Sequence, residues 1–127
     1  MIKHIPLVSI LAIATCLMVP TASALTGAQV KQCRALGASL KVRQVEAKTM
    51  SADRDGLLET VELAGDEWEA AEAMRNFGAA QATEADARKA SYDQLRSDLM
   101  RKEMALQSAV GMLNVDVYDY NDFCVTK

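Results

Sequence analysis

Asn76-Phe77-Gly78-Ala79-Ala80-Gln81-Ala82-Thr83 (NFGAAQAT, residues 76–83) is the one clear break in a chain that otherwise reads as helix. Gly78 can take the left-handed conformation that closes a helix. Thr83, with Asp86 three residues on, gives a capping signal for the next one. Outward from Gly78 the two arms match. Cys33 stands 45 residues before it and Cys124 stands 46 residues after it. If the chain folds back at Gly78, the two cysteines meet at the open end.

Each arm is built from helix formers. From Thr26 to Asn76 there is no proline, and Ala, Glu, Leu, Gln, Lys and Arg dominate. Thr26 is placed as an N-cap. The spacing predicts a helix over about 26–76, a turn over about 77–82 and a second helix over about 83–123. Three places work against continuity: Ser51 to Gly56 and Gly65 could break or kink the first helix, and Asn114 to Asp122 (NVDVYDYND) has poor helix propensity and could run extended or irregular.

Both arms carry apolar residues at alternating spacings of three and four, the coiled-coil pattern. The first ladder includes Val30, Cys33, Leu36, Leu40, Ala47, Met50, Leu57, Val61, Ala64 and Trp68, with Arg43 and Arg54 as polar rungs. The second includes Tyr92, Leu95, Leu99, Leu106, Val110, Leu113, Val117, Tyr120 and Cys124, with Glu103 as its polar rung. Residues facing each other in an antiparallel hairpin have a nearly constant index sum. Cys33 with Cys124, Leu40 with Val117 and Ala47 with Val110 share 157, while Leu57 with Leu99 and Ala64 with Tyr92 share 156. The same register sets Arg54 opposite Glu103 and brings Arg88 to the face of Trp68. The fold expected is all-α: a long antiparallel two-helix hairpin, coiled-coil-like, closed by one disulfide between Cys33 and Cys124.

Residues 1–24 read as a signal peptide. Lys3 and His4 form a short charged start, an apolar stretch follows from Ile5 to Val19, and Ala22-Ser23-Ala24 is a small-residue cleavage site. Cys16, in Ile13-Ala14-Thr15-Cys16, loosely resembles the lipidation site of a bacterial lipoprotein box, although the apolar stretch continues past it. Cleavage near Ala24 leaves residues 25–127 as one helical hairpin domain, in the periplasm or secreted, with no membrane insertion. That part keeps 13 of the 14 basic residues and all 17 acidic ones, for a net charge of −4. The balance argues against nucleic acid and anionic membrane surfaces. The only histidine is His4, so triads and zinc sites that need histidine are excluded from the mature part. Two cysteines remain, an even number suited to one disulfide in an oxidising compartment. Their wide separation speaks against the close C-x-x-C pair of a redox catalyst.

Ser51 to Glu62 reads SADRDGLLETVE and resembles the calcium loop of the EF-hand family across its twelve positions. Asp53 and Asp55 stand at the third and fifth places, Gly56 at the turn glycine and Glu62 at the final bidentate ligand. Ser51 departs from the Asp of the first place. The resemblance implies oxygen ligands for calcium from Ser51, Asp53, Asp55 and Glu62. The seam crosses the motif at Arg54, Leu57 and Val61, which favours continuous helix instead.

Met100, Met104, Met112 and Val115 fall off the second ladder, as Val42, Val45 and Leu63 fall off the first. A single seam leaves them for a protein partner or for self-association, and methionine suits adaptable contacts. The methionines could also hold a soft metal, but without histidine or free cysteine nearby they read as interface filler. The expectation is an exported structural or protein-interaction module, scaffold or chaperone-like, with no catalysis and no cofactor. Exported helical hairpins that act as holdase chaperones or envelope scaffolds are similar in general shape. The alternative is a calcium-responsive envelope protein using Ser51 to Glu62.

Overall fold

A computed structural model describes residues 24–125. Helix α1 runs Gly27–Ala73 and helix α2 runs Ala79–Tyr120. A single 3-10 turn, Arg75–Phe77, joins them, and a π-helical turn, Asn121–Val125, follows α2. At 1.5 Å per residue the helices are about 70 and 63 Å long. They pack against each other along their length, and no strand occurs among the described residues. The leader read at the N-terminus, including Cys16, lies outside the described residues except for Ala24.

Thr26 starts α1 through a full capping box. Its hydroxyl accepts from the Gln29 amide at 3.3 Å, while the Gln29 side chain accepts from the Thr26 amide at 2.8 Å. Two of the unpaired donors at the helix start are thereby satisfied. The helix then runs through Ser51 to Gly56 and through Gly65 without a break. Gly65 is a packing notch: a Cβ there would lie 3.3 Å from Cε2 of Tyr92. Gly37 does the same for Tyr120, at 3.5 Å.

The turn is tighter than the sequence suggests. Gly78 is extended, with φ 162 and ψ 172, and not left-handed. Arg75–Phe77 continues α1 as a 3-10 turn, and extended Gly78 is the point where the chain leaves it and enters α2 at Ala79. Thr83 is inside that helix, where its hydroxyl donates back to the Ala79 carbonyl at 3.0 Å. Arg75 fastens the corner. Its Nε donates to both Glu72 carboxylate oxygens, at 2.8 and 2.9 Å, and its Nη2 donates to Asp86 on α2 at 2.7 Å. The Arg75 hydrogen bond is the main reason that the Glu72 carboxyl sits below its usual 4.5, and the same bond pushes the Arg75 guanidinium further up.

A strict seven-residue repeat lines the seam. Cys33, Leu40, Ala47, Arg54, Val61 and Trp68 on α1, and Ala85, Tyr92, Leu99, Leu106, Leu113 and Tyr120 on α2, are all buried or half-buried. Gly37 meeting Tyr120, Gly65 meeting Tyr92, Lys89 over Trp68 and Cys33 bonded to Cys124 all share the index sum 157. The register is therefore constant from the turn to the open end. There the disulfide joins the helices with a Cα–Cα distance of 5.7 Å.

Some rungs differ from the ladder. Leu36 and Val110 are exposed, because Gly37 with Tyr120, and Ala109, take the seam at those levels. Arg54 does not pair with Glu103. Its guanidinium reaches the neighbouring Asp55 at 3.2 Å, and Glu103 is exposed. Drawing a carboxylate into the seam would cost desolvation that the flank avoids. The cation on Trp68 is Lys89, 5.6 Å from the ring centroid, because Arg88 is held by Glu84 at 2.7 Å and Glu67 at 2.5 Å. Trp68 itself stacks on Tyr92 at 5.4 Å, and Arg96 covers the other ring. Asn114 to Asp122 is helical throughout, passing from α-helix into the π turn at Asn121. Packing of Leu113, Val117 and Tyr120 at the seam overrides local propensity there.

Candidate functional site

A coiled-coil pair covers one stripe of each helix and leaves the rest in solvent. The result is a thin core. Among the described residues only Cys33, Val61 and Ala85 are buried. Met100, Met104, Met112 and Val115 are each about 60% exposed, as are Val42, Val45 and Leu63. Tyr118 and Phe77 are more exposed still, at 73% and 74%. Sequence reasoning missed these two aromatics. Tyr118 could have been found by extending the off-seam series of α2, and Phe77 by its place at the tip of the turn.

These residues do not form one surface. At about 100° per residue, a side chain two or five places after a seam position points away from the partner helix. Val42 follows Leu40 by two and Val45 follows it by five, so both face outward from α1. Met104 follows Leu99 by five and Val115 follows Leu113 by two, so both face outward from α2, on the opposite side of the hairpin. Met100 adjoins Met104 one turn back. Met112 lies further round and borders a groove with Met50, Ala109, Arg43 and Glu46. The two apolar outer faces therefore stay separate.

The outer face of α2 is distinguished by what it lacks. Met104 to Val115, MALQSAVGMLNV, is twelve residues without a charge, the longest such run among the described residues. Three turns of uncharged helix are unusual on a surface touched from one side only. Charges return at both ends. Arg101 is held by Asp98 and Ser97 one turn back. On the other side come Asp116, Asp119 and Asp122; Asp116 forms an ion pair with Arg43 of α1, so the acidic run is partly engaged.

The calcium-loop residues do not converge. Ser51 to Glu62 is regular helix, and the Thr60 hydroxyl donates to the Gly56 carbonyl at 3.0 Å. Alternate helical residues point to opposite sides, so Ser51, Asp53 and Asp55 cannot face a common ion. Asp53 lies 4.0 Å from Lys102, and Asp55 pairs with Arg54. No cluster of three or more candidate metal-ligating side chains occurs among the described residues.

Near the disulfide, a second groove is lined by Leu36, Leu40, Arg43, Asp116, Tyr120 and Phe123. It is open along the hairpin and crossed by the Arg43–Asp116 ion pair. No described helix is long and apolar enough to cross a membrane. No family model, curated protein or solved structure matches the chain.

Proposed function

We propose that this chain is an exported helical-hairpin protein, periplasmic or secreted, that serves as a structural or protein-interaction module of scaffold or chaperone-like type. The observation that carries this reading is the uncharged stretch of α2 from Met104 to Val115, on which Met104, Met112 and Val115 remain exposed, with exposed Met100 one turn before it. Exposed apolar side chains gathered on an uncharged stretch of helix suit an interaction site. Flexible methionines adapt to a partner's contours at little steric cost. A Cys33–Cys124 disulfide accords with an oxidising compartment.

The test is site-specific photocrosslinking in living cells that express the full 127-residue chain. A photoreactive residue at Met104 is compared with one at Glu59, which is also exposed but lies on the outer side of α1. The expected result is a discrete protein adduct from position 104 and none from position 59. Equal labelling from both, or none from either, would remove the face as an interaction site.

A further inference from the structure

We infer that the outer face of α2 binds a second copy of this chain, antiparallel, with the two-fold axis at Gly111. The inference rests on the proposed interaction role of that face and names its partner. It comes from reading the outermost line of α2, at spacings of three and four, from one end to the other. The line is Arg101, Met104, Ser108, Gly111, Val115 and Tyr118, and Asp122 continues it into the π turn. A cation stands at one end, carboxylates at the other, apolar residues on both sides and the smallest residue in the middle.

Such a line is complementary to its own reverse. In a two-fold interface residue i meets j and j meets i. Reversal about Gly111 sets Gly111 against Gly111 of the other copy. It sets Ser108 against Val115, a small residue against a branched one, and the flexible Met104 against the ring of Tyr118. At each end Arg101, which its own chain holds through Asp98 and Ser97, faces Asp122 of the other copy. A parallel pairing would instead stack Arg101 on Arg101 and carboxylates on carboxylates, which costs stability through like-charge contact. The centre is open: a Cβ at Gly111 would meet nothing within 4 Å, so this point of α2 is free for close approach by another backbone. One helix pair over this length falls at the lower limit of specific interfaces, about 1,000 Å² in total. An interface of this size suits a reversible dimer.

The full chain, expressed from its complete reading frame and purified from the fraction it reaches, is followed by sedimentation equilibrium over a wide concentration range. The expected result is a monomer–dimer equilibrium. Gly111→Lys places like charges on the axis yet replaces a helix-interior glycine by a better helix former. It should keep full helicity and weaken the dimer by about tenfold or more. Arg101→Asp should weaken it, Asp122→Arg should weaken it, and the double variant should recover most of the wild-type affinity. A chain that stays monomeric, a dimer indifferent to Gly111→Lys, or a double variant weaker than either single one would overturn the inference. The crosslink from position 104 separates the two readings. An adduct of twice the chain's mass supports the second copy. An adduct to a different protein, with this chain monomeric, leaves the interaction module standing and removes the dimer. No adduct removes both.

Discussion

Glycine has two opposite roles on α1, and the difference is measurable. Gly56 sits in regular helix, and an added Cβ would meet nothing within 4 Å. Replacing it by Ala removes backbone entropy from the unfolded chain without strain, so Gly56→Ala should stabilise by about 0.5–1 kcal/mol. At Gly65 the new methyl would press on Tyr92 at 3.3 Å, and Tyr92 is stacked on Trp68. Gly65→Ala should therefore gain less than Gly56→Ala, or lose stability. Thermal melts of the two variants check the order. The Gly56 variant bears on calcium as well. Helix predicts a higher melting temperature and no change on adding millimolar calcium, before or after substitution. A calcium-dependent rise in wild type that disappears in Gly56→Ala would restore the loop. Only half of this was legible beforehand. The seam's passage through Arg54, Leu57 and Val61 already favoured helix over a calcium loop. The role of Gly65 was not, because a notch is defined by the ring that fills it, and Tyr92 is 27 residues away.

At the level of the elements, the corner between α1 and α2 is fastened by charge. Arg75 joins Glu72 at the end of α1 to Asp86 in the second turn of α2. The sequence pointed to Gly78 and Thr83 as punctuation because glycine and threonine carry strong statistical signals. The chain does break at Gly78, but α2 starts at Ala79 and not at Thr83, after a 3-10 turn that has no such signature. A carboxylate whose pKa folding lowers adds stability that is complete above its unfolded value and lost as pH falls through the folded one. Glu72 is in that position, first through its hydrogen bond from Arg75. Arg75→Gln should melt below wild type at neutral pH. The gap should close at about pH 2, where the carboxylates are protonated. An equal gap at both pH values would mean that the arginine acts by packing and not by charge.

At the scale of the molecule, one seam with three buried residues among those described is a slender core for two helices of this length. The Cys33–Cys124 bond compensates at the end farthest from the turn. By closing a loop of about 90 residues it restricts the unfolded chain by roughly 4–5 kcal/mol in the chain-entropy model. The overall form was readable because one number, the index sum of 157, connects the cysteines to the two ladders. The choice of ion-pair partners was not. Arg54 with Asp55, and Lys89 rather than Arg88 on Trp68, depend on which flank each side chain occupies, and spacing alone assigns only the level. The separation of the two outer apolar faces was hidden for the same reason. The proposed role requires a hairpin in that register, closed by its cysteines. The most direct measurement is a tryptic map of the chain, taken from the compartment it reaches and alkylated at lysis without reduction. Cleavage after Lys31, Arg34 and Lys102 isolates Gln32-Cys33-Arg34 and the peptide Glu103 to Lys127. These two peptides are expected joined as one species that separates on reduction. Recovery of both as singly alkylated free thiols would contradict that closure.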